Sequence, residues 1–492
     1  MPCRLTVVAA YQWSQTMAAA PLRLDRRTLL AGASAGVAGS LVATPASARA
    51  VLPERRAPAV LRQGATVVRI AQYGSIEDAK TTKTLFDQFT ATHPDVQVEV
   101  IPIEAPDWDQ YFTKVLALIA SGDAPDVCFC ATEGLQLFAS RLAAPLDDYV
   151  TRDSAAMQEY FSDVAPSLVE AMMYEGSLYS LPVDFNAANI FFSPRQFAEA
   201  GAAMPSPTWT IDDFTTSMRA IAESGKYGFA WTNRHWGGAI PWIFINGGNI
   251  LTEEKAPGGE WLWQSFYASD PAAQGRGGGI RWANSQANAA ANVEALQYLV
   301  DLTYELNAAP NPAQAEGDQS QVIALFSGGQ LSSFPAGSYL ISSLASSGVT
   351  PENFDVTFMP KWKSQRHQFG TGGYVILNDS LVKDAAWELL KFRASSDVIA
   401  SVAAGGNTTP ARRSLATDAL WTPELGPKSY SVFYDTLDKF PDAAPIPAPP
   451  PAVEMANIFT RYVGLAMSQD QTAQESLDGM HQELTDLLAR QA

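Results

Sequence analysis

The sequence predicts an α/β protein of two lobes, each a mostly parallel sheet flanked by helices, with a ligand cleft between them. Three observations carry this expectation. A chain of 492 residues with 47% hydrophobic and 17% charged side chains is more than one core organises. Residues 65–130 alternate strand and helix patterns in the order βαβαβ, which implies parallel pairing and ligand sites beyond the carboxyl ends of the strands. Finally, residues 176–193, GSLYSLPVDFNAANIFFS, form an apolar strand pattern interrupted by Asp184 and Asn186, as expected of a strand crossing a cleft floor.

Each element has its own signal. Residues 65–71 alternate as a strand that empties into Gln72 and Tyr73, and residues 77–92 carry an apolar helical stripe of Leu85, Phe86 and Phe89. Residues 96–103 form the second strand. The helix 108–121 has Tyr111, Phe112, Val115, Leu116 and Ile119 on one side; Asp107, Trp108 and Asp109 fit the acid-rich start of a helix. The third strand, APDVCFC, exits into Thr132 and Glu133. After the central stretch, Thr210 caps a helix at 211–224 with Asp213 three residues on. A strand at 227–231 leads to Asn233, His235 and Trp236, and the Gly-rich, Trp-bearing residues 253–279 read as a surface insertion. A helix at 289–306 and strands at 331–334 and 354–359 follow, the first of these strands running toward Tyr339. A crossing strand at 371–376 is entered through Gly372 and Gly373. A helix at 384–393, the loop NTTPARRS, a Pro-rich connection at 441–453 and helices at 453–467 and 472–488 close the chain.

The N-terminus predicts export. LDRRTLLAG, a mildly apolar Gly/Ala-rich run and the sequence TPASARA make a twin-arginine signal over residues 1–50, with Met17 as the expected start and no Cys placed for a lipid anchor. The expected compartment is the periplasm. Beyond Ala50 there are 28 basic and 50 acidic side chains, a net charge of −22, which disfavours nucleic acid and anionic membrane surfaces as partners. Cys128 and Cys130 stand two apart on one probable strand face; two reduced thiols are favoured over a strained disulfide, and neither they nor the His residues have a metal spacing. The one G-x-S-x-G match, GASAG at 32–36, lies in the signal, and no Walker loop, dinucleotide fingerprint or H-E-x-x-H occurs, so no cofactor is expected.

Taken in order, FDQFTATHPDVQVEV, WDQYFTKVLALIASGDAPDV, GSLYSLPVDFNAANIFFS, PSPTWTIDDF, KYGFAW, INGGNIL, LFSGGQLSSFPAGSYL, GGYVILNDSLVKDAAWELLKF and TTPARR resemble the extracytoplasmic solute-binding proteins of ABC importers, family 1, the maltose-type sugar-binding group. The resemblance covers the chain after the signal. Ser193 stands where the family commonly has Asn, and Tyr339 where it has Trp, which argues against transferring a particular sugar. The resemblance implies a type II periplasmic-binding-protein fold with lobes at 64–184 plus 375–418 and 188–371 plus 419–492, joined by hinge crossings at 185–187 and 372–374. It further implies a monomer that clamps a sugar or polyol and passes it to the transmembrane subunits of a permease.

Sugar sites combine aromatic faces with paired polar groups. Candidates on the first lobe are Tyr73, Thr132 and Glu133, and on the crossing Asp184 and Asn186. The second lobe offers Asn233, His235, Trp236 and Tyr339. Gly372, Gly373 and Tyr374 stand at the second crossing, and Arg412 in the TTPARR loop. The resemblance supports Glu133, Asn186, Trp236 and Tyr339 most directly. Structural roles compete: Trp236 and Tyr339 as core cover, Glu133 and Asp184 as caps or partners of Arg412, His235 as a surface histidine. A secreted carbohydrate-active enzyme, a sensor-feeding protein, or a binder of glycerol phosphate, polyamine or amino sugar are the alternative functions.

Overall fold

The computed structural model describes residues 64–311, 319–406, 408–416 and 426–490. The export signal, Met17, Asn407 of the NTTPARRS loop and the expected lobe boundary at 418–419 lie outside the described residues. The strands are β1 (Thr66–Tyr73), β2 (Val96–Ile103), β3 (Val127–Ala131), β4 (Met173–Tyr174), β5 (Ser177–Leu178), β6 (Asp184–Ala187), β7 (Asn189–Phe192), β8 (Leu251–Lys255), β9 (Ile280–Ser285), β10 (Ser333–Ala336), β11 (Asp355–Thr357), β12 (Gln368–Ile376), β13 (Thr409–Pro410) and β14 (Ala444–Pro445). The first helices are α1 (Ile76–Thr92), α2 (Trp108–Ala120), α3 (Thr132–Ala139), α4 (Asp147–Arg152), α5 (Ser154–Asp163) and α6 (Pro166–Ala171).

The first lobe is built as its βαβαβ pattern predicts. The order across its sheet is β13-β6-β12-β3-β1-β2, with β1 parallel to both β2 and β3. Strand β12 arrives from the other lobe, so it runs antiparallel to β3, and β6 antiparallel to β12. Helix starts follow local chemistry: Ser75 and Asp78 form a reciprocal capping box at α1, Asp107 accepts from Gln110 N at 2.8 Å to cap α2, and Thr210 with Asp213 caps the helix Ile211–Glu223. Phe86, Phe89, Tyr111, Phe112 and Phe138 fill the core between sheet and helices.

The second lobe departs from the mostly parallel expectation in its sheet. Strand β7 leaves the crossing while β10 and β11 pair with it antiparallel, because β10 runs back to deliver Gly337–Tyr339 beside the crossing strand β6. The strand predicted at 227–231 is reduced to a single bridge, Tyr227 to Leu331. A Cβ on Gly228 would lie 3.0 Å from Met218 Cα, so the backbone there is pressed onto the helix Ile211–Glu223 and turns its amides to Ala308 and Ser333. Two further clusters of buried residues form the second lobe's core.

The expected surface insertion is not on the surface alone. Leu262, Trp263, Tyr267 and Ala273 are buried in the first lobe's core, although β8 and β9 on either side pack with the second. Tyr434 and Leu437 likewise join the first core from a segment expected in the second lobe. Among the described residues no helix is long and apolar enough to cross a membrane.

Candidate functional site

The carboxyl ends of β1, β2 and β3 open on one side of the first-lobe sheet, and each contributes residues there. Tyr73 ends β1; its ring stacks on Trp108 at 4.6 Å and its hydroxyl donates to Ala105 O at 3.0 Å. Trp108, just beyond β2, also stacks on Phe129 at 5.9 Å, which makes a continuous aromatic wall. Thr132 and Glu133 begin α3 directly after β3, and the Thr132 hydroxyl donates to Glu133 Oε2 at 3.0 Å.

The second lobe supplies the facing wall. Trp236 and Tyr339 meet edge to face at 5.7 Å, and the Arg234 guanidinium donates to the Tyr339 hydroxyl while lying 5.6 Å from the Trp236 ring. Arg234 Nε is buried without a hydrogen-bond partner among the described residues. Trp236 reaches across to the crossing strand: a Cβ on Gly370 would stand 2.7 Å from its Nε1 and 3.3 Å from Thr132 Oγ1. Asn186, on the other crossing strand, accepts from Ser338 Oγ at 3.0 Å and Tyr339 N at 3.3 Å, and so fixes the turn that carries Tyr339.

Burial and mutual charge tune the acids. Glu133 is pushed up to about 7, chiefly by burial and also by Asp184, against the opposing pull of Thr132 and Arg234. Asp109 is likewise raised to about 7 by burial and by the charges of Asp107 and Glu133. Burial lifts the Tyr73 phenol to about 12, with Arg234 again pulling the other way. Arg234 of one lobe therefore acts on Tyr73 and Glu133 of the other. At neutral pH Glu133 and Asp109 are part protonated, so each can both donate to and accept from a hydroxyl group.

Tyr73, Thr132, Glu133, Trp236 and Tyr339 come together here, with Asn186 behind them. The remaining predicted residues are placed elsewhere. The Asn233 amide donates to Thr460 O at 2.8 Å, and His235 packs 5.3 Å from Phe459, its pKa lowered to about 4 by burial; both are engaged by the helix Ala452–Met467. Asp184 lies against Gly372, Thr408 and Arg393, and acts on Glu133 from below. Tyr374 is buried edge-on to Phe129 at 5.0 Å and donates to Gln72 Oε1, and Gly373 presses on Ser180 and Leu181, so both belong to the first-lobe core. Gly372 faces Phe129 and Asp184; Gly370, two residues earlier on the strand, is the glycine beneath the cleft. Arg412 is 2% exposed; it donates to Ala394 O and pairs with Glu159 at 2.8 Å, beside a separate cavity of about 350 Å³ bordered by Tyr160 and Phe392. Its donors are spent inside the first lobe.

Arg234, Trp108, Asp109 and Gly370 were not predicted. Trp108 and Asp109 follow the exit of β2, and the strand-exit rule that selects Tyr73 and Glu133 applies to them equally; they also open α2 as the helix-start reading has it, with Asp107 as its cap and Asp109 in its first turn. Arg234 stands between two residues that were chosen, in a loop with no periodicity to say which side chain points inward.

A cleft whose two walls come from separate α/β lobes, lined by aromatic faces and paired polar groups, defines a two-lobed small-molecule binding protein. A model of the bacterial extracellular solute-binding protein family matches residues 73–400, and the chain belongs to that family. Among curated relatives, it is similar to an uncharacterized lipoprotein in the oleD 5′ region of Streptomyces antibioticus, 27% identical over 158 residues, which is 32% of this chain and 33% of that protein. It is also similar to a mannitol-binding protein of Pseudomonas aeruginosa, 26% identical over 224 residues, 43% of this chain and 49% of that protein. The chain thus spans between a third and about half of these relatives' length. An ABC substrate-binding protein of Listeria monocytogenes, solved in complex with cycloalternan, superposes with a TM-score of 0.70 at 20% identity, covering 86% of this chain and 99% of that one. At that identity the likeness shows the fold.

Proposed function

We propose that this chain captures a neutral polyhydroxylated solute, a sugar or polyol, between its lobes and hands it unaltered to the transmembrane subunits of an ABC permease. The observation that carries this reading is the convergence of Tyr73, Trp108 and Glu133 from one lobe with Arg234, Trp236 and Tyr339 from the other. Aromatic faces suit the CH surfaces of a sugar ring, and carboxyls poised near neutral pH suit hydroxyls that both donate and accept. The names of the mannitol-binding relative and the cycloalternan complex support the same class. The lobes 64–184 plus 375–418 and 188–371 plus 419–492 would rotate about crossings at 185–187 and 372–374, with the solute favouring the closed form because only there does it touch both walls. Export through the twin-arginine route, signalled by Arg26-Arg27, would place a monomer outside the cytoplasmic membrane.

An amine-bearing solute is the second reading, favoured by Asp107, Asp109 and Glu133 standing close enough to raise one another's or Tyr73's pKa on the cleft wall that Arg234 faces. The test is a thermal-shift screen of residues 51–492 against sugars, polyols, amino sugars, polyamines and glycerol phosphates, followed by calorimetry. A ligand at a hundred times its dissociation constant raises stability by about 2.7 kcal/mol. A saturable shift with the ligand recovered intact supports capture. Recovery of a chemically changed ligand, or shifts from amines alone, overturns the neutral-solute reading.

A further inference from the structure

Residues 256–279 interrupt a hairpin that needs no such length. Lys255 and Ile280 are direct partners across β8 and β9, so a two-residue turn would join them. The hairpin belongs to the second lobe: Leu251, Trp282 and Ile280 pack in its core, and His481 bonds Ser285 at 3.1 Å. The inserted segment belongs to the first. Its helix Glu260–Phe266 sends Leu262 and Trp263 into the first core, and Phe266 lies 4.3 Å from the Phe161 ring of α5.

The attachment is polar as well as apolar. Tyr267 donates to Val164 O at 2.9 Å and Gln158 to Ser265 O at 3.1 Å. Glu170 of α6, itself 6% exposed, accepts from Arg276 at 2.5 Å and from Gly277 N at 2.8 Å. Gly176 N, in the turn between β4 and β5, donates to Gly278 O at 2.9 Å, and Arg281 pairs with Glu175. Glycines allow the two chains to touch: a Cβ on Gly278 would stand 2.4 Å from Gly176 Cα, and one on Gly258 3.0 Å from the same atom. Such a seam admits no side chain and is built for permanent contact.

The segment's root also borders the cleft. Gln136 of α3, one helical turn beyond Thr132 and Glu133, donates to Ile280 O at 2.6 Å. Between them Thr132, Gln136, Glu170, Ile280 and Trp282 enclose a crevice of about 10 Å³, room for no more than one water. We infer that residues 256–279 are a tether that keeps the second-lobe hairpin fixed to the first lobe at this end of the cleft, so that the lobes open by swinging away from it. The inference rests on the two-lobed capture reading, since a hinge motion is what the tether constrains. The alternative is a latch that docks only when the lobes are closed.

Hydrogen exchange on the solute-free chain 51–492 distinguishes them without any ligand. A tether keeps the amides of residues 262–267 protected to within about a hundredfold of those in α5; faster exchange than that overturns the proposal. A second measurement uses a variant with 256–279 replaced by Asn-Gly. Its small-angle scattering in the absence of solute should show a larger radius of gyration than the parent despite the shorter chain. An unchanged or smaller radius in a folded variant overturns the proposal. If the variant does not fold, the exchange pattern of the intact chain still decides. Failure of every solute in the screen would refute the capture reading and leave the exchange result standing.

Discussion

Substituting Gly370→Ala perturbs the cleft at one atom. The glycine is not in the left-handed region, so the backbone accepts alanine, but the new methyl would stand 2.7 Å from Trp236 Nε1, against 3.4 Å for an ordinary contact. Thr132 Oγ1, at 3.3 Å, is almost accommodated already. The indole must therefore retreat by about 0.7 Å, the difference of those two distances. Overpacking of this size costs about 1–3 kcal/mol, while the loss of glycine entropy from the unfolded chain returns about 0.4–1 kcal/mol of stability. Trp236 is buried between Gly370 of the first-lobe sheet and Tyr339 of the second lobe, so the retreat should fall on binding more than on folding. The expected result is a dissociation constant raised about 10- to 100-fold for the solute found by screening, with the melting temperature within a few degrees of the parent. Calorimetry and a melting curve on the same sample measure both. An unaltered dissociation constant with a fall in melting temperature of more than about 4 °C would show that Trp236 only covers the second-lobe sheet.

Three further expectations follow from the same contacts. Trp236→Ala and Tyr339→Ala should each weaken solute binding with little loss of stability, read by the same pair of measurements; a large stability loss with unaltered affinity would assign them to the core. Glu133 has a folded pKa of about 7 against an ordinary 4.5, so its contribution to stability is present below 4.5 and lost as pH rises through 7, up to about 3 kcal/mol. Denaturant midpoints between pH 5 and 8 should therefore drop further with rising pH in the parent than in Glu133→Gln; parallel curves would reject the burial argument, because the slope set by Asp109 in the same sense and by the buried His235 and His367 in the opposite sense is common to both proteins. Arg412→Ala removes a buried bond to Ala394 O and a part-buried pair with the exposed Glu159 and should cost about 1–3 kcal/mol while leaving solute affinity unchanged. A loss of affinity at constant stability would return Arg412 to the site.

The parts of this fold that the sequence made legible are those set by short-range chemistry. Helix starts at Ser75, Thr210 and Thr472 are written as a cap with an acid three residues on, and β1, α1, β2, α2 and β3 follow from periodicity. Tyr73 and Glu133 were reachable because strand exits in an open parallel sheet point to one side. Choosing between Asn233, Arg234 and His235 was not, because the partner that engages the outer two, the helix Ala452–Met467, comes from more than two hundred residues away. The same holds for the second crossing, where strand alternation could separate Gly370 and Gly372 from Gly373 but not tell which end of β12 lies under the cleft. Residues 253–279 looked like a surface excursion because their apolar side chains have no period. What seats them is the burial of Leu262, Trp263 and Tyr267 in the first core together with glycine against glycine, a contact with no sequence pattern at all.

Cys128 and Cys130 sit in β3 at the centre of the first lobe with no exposure, unlinked to one another, and burial raises both thiols well above their ordinary range. Beyond Ala50 they are the chain's only cysteines, and the second lobe has none. A thiolate is the reactive form, so a colorimetric thiol reagent finds nothing to modify until β3 leaves its sheet. The rate of modification is then a clock for the unfolding of one half of the molecule alone, running without any introduced label. Set beside tryptophan fluorescence, which reports on both halves, it tells whether the two come apart together or one before the other.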